Sequence, residues 1–249
     1  MKGKQLLPAV FLLLAACAAA KHGQPSASRP TYEIRRATGP IQVDGVFDEE
    51  DWAKAEPVGD FTFNWWESGE KEQTVAKMLW DDRYLYVAFY CYDRHISAYV
   101  TERHGPVSHD DCVEVFLSPN PSKVSNYYNF EMNAIGTMLN GCHTDWWTGP
   151  LRWDVTGVLL GHSVKGDRKE EDPADESWTM EVAIPLEHFE RDAAHVPPKD
   201  GDVWRLNLNR CGGVTNPQYS TWSPISAPQP AFHLPEQFGY VAFSEKPVR

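Results

Sequence analysis

The groups best able to do chemistry in this chain crowd into one stretch. From His109 to Cys142, Asp110, Asp111, Glu114, Glu131 and Asn133 alternate with apolar residues. Three uses of such groups have to be separated. Two carboxylates flanking a bond hydrolyse glycosides, carboxylates gathered with carbonyls hold calcium, and carboxylates spread with amides over a surface bind hydroxyls. The first use is disfavoured: no acid–nucleophile pair is singled out, and a chain with 35 acidic residues produces acidic clusters by chance. GxSxG, HExxH and phosphate-cradling glycine loops are also missing from the sequence. The second use fits the aspartates in turns, with Asp110 and Asp111 as the candidate ligands of a structural Ca2+. They form no EF-hand loop, and turn aspartates commonly cap their own backbone.

The third use needs a partner surface. A pyranose offers an apolar face to an aromatic ring and a rim of hydroxyls to acids, amides or Arg. The rings available in or beside loops are Trp65, Trp66, Trp146, Trp147, Trp222 and Phe232. The polar candidates are Glu114, Glu131, Asn133, Asn207, Asn209 and Arg210. Any single ring could equally be core packing. In Trp65-Trp66, however, a strand must turn one ring outward.

Positioning these groups is the work of strands. Cys112 to Leu117 sets Val113, Val115 and Leu117 against Cys112, Glu114 and Phe116. Tyr127 to Ala134 sets Tyr128, Phe130 and Met132 against Tyr127, Asn129, Glu131 and Asn133. A period of two with one apolar face predicts half-buried antiparallel neighbours, whose polar faces form one floor. Val75–Trp80 and Tyr84–Tyr92 read as a hairpin closed at Asp81-Asp82. Further strands are expected at Ile41–Gly45, Asp60–Trp66, Gly136–Cys142, Val155–Lys165, Trp178–Ile184, Trp204–Arg210 and Phe238–Phe243. Short helices are expected at Asp48–Ala55 and Pro185–Phe189, and an acidic turn at Lys169–Glu176. Many short strands with frequent turn signals predict an all-β fold, an antiparallel β-sandwich.

The N-terminus reads as an address. Lys2 and Lys4 precede an apolar run from Leu6 to Ala16 that ends Leu14-Ala15-Ala16-Cys17. It is shorter than the ~20 residues of a membrane span and suits a signal peptide. Its end resembles a bacterial lipobox, so residues 1–16 are expected to be a lipoprotein signal peptide, with Cys17 lipidated. Ordinary cleavage within AACAAA is the alternative. Residues 17–31 then form a flexible tether and residues 32–249 the folded domain, lipid-anchored in a bacterial cell envelope. Loss of Lys2 and Lys4 would move the formal charge from −12 to −14. An acidic exported chain excludes nucleic acid as a partner, since that needs a basic footprint. Cys91, Cys112, Cys142 and Cys211 have no zinc-site spacing, and their pairing is left open, with Cys91–Cys112 as one option.

Four segments in register resemble the family 9 carbohydrate-binding modules. These are Ile41-x-Val43-Asp44-Gly45 with Trp52 and Ala55; Leu79-Trp80-Asp81-Asp82-x-Tyr84-Leu85-Tyr86-Val87; Asp111-Cys112-Val113-Glu114-Val115-Phe116; and Phe238-Gly239. The resemblance implies a β-sandwich, structural calcium, and sugar chain ends held between two aromatic rings. It makes Glu114 the sugar-binding glutamate and Phe232 one clamp ring. It departs at Val107-Ser108-His109, where the second ring is expected, and at Glu131, which stands where well-studied members carry Arg. Either Trp65/Trp66 or Trp146/Trp147 replaces the missing ring, or the chain reads another sugar altogether. The expected partners are an oligo- or polysaccharide, the membrane through Cys17, and a carbohydrate-active enzyme. The alternatives are a haem-binding electron-transfer domain of the same fold, using Met132, Met138, His143 or Met180, and a surface interaction protein without a small ligand.

Overall fold

Local sequence accounts for most of the strands. In the computed structural model, which describes residues 28–166 and 175–249, the Asp81-Asp82 turn joins β2 (Thr74–Trp80) to β3 (Tyr84–Tyr92). Asp81 closes that turn by accepting the backbone N–H groups of Arg83 at 2.7 Å and Tyr84 at 2.8 Å. Leu85, Val87, Phe89 and Cys91 face the core, as the alternation requires. Two more strands follow, β4 (Asp111–Ser118) and β5 (Tyr127–Asn133). They pair antiparallel as expected, in a register that sets Glu114 opposite Glu131.

The remaining strands are β1 (Thr31–Arg36), β6 (Met138–His143), β7 (Leu159–Lys165), β8 (Ser177–Pro185), β9 (Val203–Gly212), β10 (Tyr219–Thr221) and β11 (Gly239–Pro247). A single path of pairings orders them β6-β5-β4-β9-β11-β1-β2-β3-β8-β7, with β10 added on β9. The sheet curls on itself, so that inward residues of β4, β5 and β9 share one core with those of β2, β3 and β8. Trp80, Trp178 and Trp204 are fully buried there. The all-β fold is found, but the sheet is mixed rather than wholly antiparallel. β1 lies parallel to both β11 and β2 and joins the two halves.

Two expected strands are absent among the described residues, and in the first the backbone donors go elsewhere. In the Ile41–Gly45 segment, Gln42 N–H bonds Glu49, while Asp44 and Gly45 N–H both bond Glu181 of β8 at 3.1 Å. Trp52 of helix α1 (Glu50–Lys54) donates its indole to the same carboxylate at 2.8 Å. Gly45, at φ +83°, lies so close to β7 that a Cβ would come 2.5 Å from the His162 backbone. The Asp60–Trp66 segment keeps only one bridge, Thr62 to Thr221. Pro185 leads into a short 3-10 turn, Leu186–Phe189, where a helical turn was expected. The signal peptide, Cys17, most of the tether, and most of the acidic Lys169–Glu176 turn lie outside the described residues.

Candidate functional site

The outward face of β4, flanked by β5 and β9, carries a polar floor. Its rows are set by strand register: Asn133–Cys112–Cys211, then Glu131–Glu114–Asn209, then Asn129–Phe116–Asn207. The segment after β10 folds back over this floor and leaves a cleft of about 320 Å³. Glu114, Glu131 and Phe116 line its base, Phe232 and Tyr219 one wall, and His109 and His233 the rim. Its size falls at the small end of ligand pockets, ~300–1,000 Å³.

The wall is a cluster of rings. Phe232 meets Trp65 at 5.9 Å and Tyr219 at 6.1 Å between centroids, and Trp65 is pinned by its indole N–H on the Ala227 carbonyl at 2.8 Å. Trp65 thus supports Phe232 from behind. On the far side Tyr127 stacks flat on His143 at 4.4 Å and bonds His233 at 3.0 Å. One apolar wall faces this cleft, where the resemblance implies a two-ring clamp. His109 lines the rim, in the stretch where the resemblance implies the second ring.

The floor is crowded with acceptors. Glu114, 2 % exposed, accepts from the Asn209 amide at 3.2 Å and from the Cys211 thiol at 3.7 Å. Glu131, 7 % exposed, accepts from Asn129 at 2.9 Å, whose amide oxygen is in turn 2.9 Å from His143 Nε2. The Asn209 amide oxygen is buried with no partner among the described residues. Burial, and then the neighbouring Glu131 charge, holds the Glu114 carboxyl well above the usual range. Burial alone lifts Glu131 to about 7, against the Asn129 bond. Two carboxyls so placed cannot both ionise cheaply, so the pair retains a proton near neutral pH. Burial, with His233 second, lowers His143 to about 4, and burial also lowers His233, so neither ring brings a cation to the cleft.

Several expected residues lie elsewhere. Arg210 shares the inward parity of Trp204, Leu206 and Leu208 and is wholly buried. Its guanidinium donates to Asp93 at 2.8 Å and to the carbonyls of Glu72 and Tyr92, and stands 3.8 Å from Asp111. Trp222, 3 % exposed, packs in the core with its indole on the Val58 carbonyl. Trp146 and Trp147 pack edge to face on each other and lie against the main core, tied to Asp192 and the Pro150 carbonyl, and do not line the cleft. Trp66 is exposed beneath Lys71, 4.5 Å from its ring centroid. Asn133 is fully buried, giving its amide to Asp110 and the Val100 carbonyl. Asn129, Tyr219, His109 and His233 join the site without having been singled out. Only Asn129 carried a signal, its shared parity with Glu131.

Asp110 and Asp111 do not fit a calcium site. Asp110 is occupied by the N–H groups of Tyr99, Val100 and Asn133. Asp111 accepts from Ser97 and faces Arg210. Donors and a cation surround them where calcium requires an oxygen cage. Cys91, Cys112, Cys142 and Cys211 are free thiols, all buried. Cys91 sits in the main core and Cys112 in the cluster on the opposite sheet face, so those two do not meet. Met132 and Met180 are fully buried in the main core, which leaves them no opening as haem ligands.

A curled β-sheet presenting a roofed cleft of acids, amides and one aromatic wall defines a binding module of the β-sandwich type. The chain belongs to carbohydrate-binding family 9, whose sequence profile matches residues 43–243. A putative carbohydrate-binding protein from Bacteroides uniformis ATCC 8492 has the same fold, with TM-score 0.70 and 24 % identity over 87 % of this chain and 100 % of its own. A family 9 module from Caldicellulosiruptor kristjanssonii, solved with cellotriose, superposes with TM-score 0.61 at 14 % identity, covering 87 % of this chain and 94 % of that one. In its glucose complex the TM-score is 0.60 at 15 % identity, over 86 % and 96 % of the two chains. A 101-residue stretch is 33 % identical to exoglucanase XynX of Acetivibrio thermocellus, spanning 40 % of this chain but only 9 % of that protein.

Proposed function

We propose that this family 9 chain is an exported, lipid-anchored carbohydrate-binding protein that holds a sugar unit in the Glu114–Phe232 cleft. The observation that carries the reading is the facing pair Glu131–Glu114 lying under the Phe232 wall in one cleft. Phe232 would stack on the apolar sugar face, while Glu114, held by the Asn209 amide, and Glu131 take its hydroxyls. The proposed ligand is an oligo- or polysaccharide of β-linked hexoses. That choice is supported by the relative solved with cellotriose. The stretch shared with an exoglucanase supports a carbohydrate-active enzyme as the functional partner. Export and anchoring rest on the Leu14-Ala15-Ala16-Cys17 sequence.

Calorimetric titration with β-1,4-linked glucose and glucosamine oligosaccharides tests the site. Phe232→Ala and Glu114→Ala are each expected to weaken binding about tenfold or more, from lost ring burial and a lost charge-assisted bond respectively. Unchanged affinity in both variants, with the fold retained by circular dichroism, would overturn the assignment.

A further inference from the structure

The floor of the cleft holds two acids with no Lys or Arg beside them. Glu114 and Glu131 face each other across β4 and β5, and no Lys or Arg lines the cleft. From the neighbouring strands the Asn209 amide and Cys211 thiol are given to Glu114 and the Asn129 amide to Glu131, while Ser108, His109, Tyr219 and His233 bring the hydroxyl and ring groups of the rim and wall. Beside Glu114 the Asn209 oxygen is fully buried and unpartnered among the described residues. Glu131, more than nine-tenths buried, lines the cleft with Asn129 as its one described hydrogen-bond partner.

Such a floor asks its ligand for donors and positive charge. A hydroxyl gives one donor and brings its own lone pairs, which these oxygens do not want. An ammonium gives three donors, no acceptor and a full charge. An acetamido group gives one donor, adds a carbonyl acceptor and is neutral. We infer that the cleft selects a sugar bearing a free amine, a glucosamine-type unit whose ammonium sits between Glu114 and Glu131 while its ring stacks on Phe232. The inference rests on the sugar-binding reading above and names its substrate class.

Protonation supports it in one direction. The pair retains a proton when the cleft is empty, as its raised carboxyls indicate. An incoming ammonium would expel that proton, so binding should release protons below about pH 7. The other titratable groups facing Glu131 and Glu114 are His109 from the turn before β4, Cys112 of β4, Cys211 of β9, Tyr219 of β10 and His233 from the covering segment.

The test uses the full-length protein in mild detergent and three disaccharides of one shape: β-1,4-linked diglucosamine, di-N-acetylglucosamine and cellobiose. At about pH 7 diglucosamine is expected to bind about tenfold or more tighter than either neutral sugar, the scale of a charge-assisted hydrogen bond. The advantage should shrink toward about pH 5, where the carboxyls hold their protons, and in Glu131→Gln. Calorimetry in buffers of different ionisation enthalpy should report proton release with diglucosamine alone. Cellobiose binding as tightly as diglucosamine would overturn the amine inference and leave the sugar-binding reading standing. Failure of all three to bind would overturn both.

Discussion

Replacing Glu131 by Gln should stabilise the protein at alkaline pH and leave it nearly unchanged in acid. The Glu131 carboxyl is raised from 4.5 to about 7 by burial. The folded state therefore favours the protonated form, so this contribution to stability is fully present below pH 4.5 and disappears as pH rises through about 7. At about 1.4 kcal/mol for each pH unit between the two values, wild type forfeits roughly 3 kcal/mol by about pH 8. Gln mimics the protonated acid in size and keeps an oxygen for the 2.9 Å bond from Asn129, so the variant escapes that loss. It also removes the charge that helps hold Glu114 high. Urea unfolding of both proteins at about pH 4 and about pH 8 measures the effect as a shift in midpoint at constant slope. The expected gain is up to about 3 kcal/mol at the higher pH and close to zero at the lower. An equal gain at both pH values, or a loss at the higher, would refute the reading of Glu131 as a strained, buried acid.

Two further outcomes follow from other parts of the chain. Arg210→Met leaves Glu72, Asp93 and Asp111 buried without their cation; denaturant unfolding should show a loss of about 3–5 kcal/mol near neutral pH, partly recovered in acid as the carboxyls protonate. Cys17→Ser should move the protein from the membrane fraction to the soluble fraction on cell fractionation; persistence at the membrane would overturn the lipid anchor.

How far the sequence reaches depends on whether the deciding interaction is local. Glu114 and Glu131 were legible because each belongs to a run of period two, and one apolar face fixes the parity of each strand; their register came from the structure. The hairpin at Asp81-Asp82 was legible for the same reason, with its turn chemistry three residues away. Arg210 shows where that reasoning was incomplete. Its parity with Leu206 and Leu208 points inward, yet a charge inside the core is unacceptable until three acids far apart in sequence converge on it.

Non-local pairing settled the rest. Ile41–Gly45 carries a strand's composition, but its N–H groups are drawn to Glu181, well over a hundred residues away, so no ladder forms. Trp65 and Trp222 are indistinguishable as loop tryptophans; the return of the covering segment puts one behind Phe232 and the other inside the core. By itself the sequence determined which faces of β4 and β5 are polar, and so the identity of the floor. Only the tertiary structure decided that the floor is roofed, has one aromatic wall and holds two facing acids without a cation. That outcome depends on segments brought together by the curl of the whole sheet, which no local periodicity encodes.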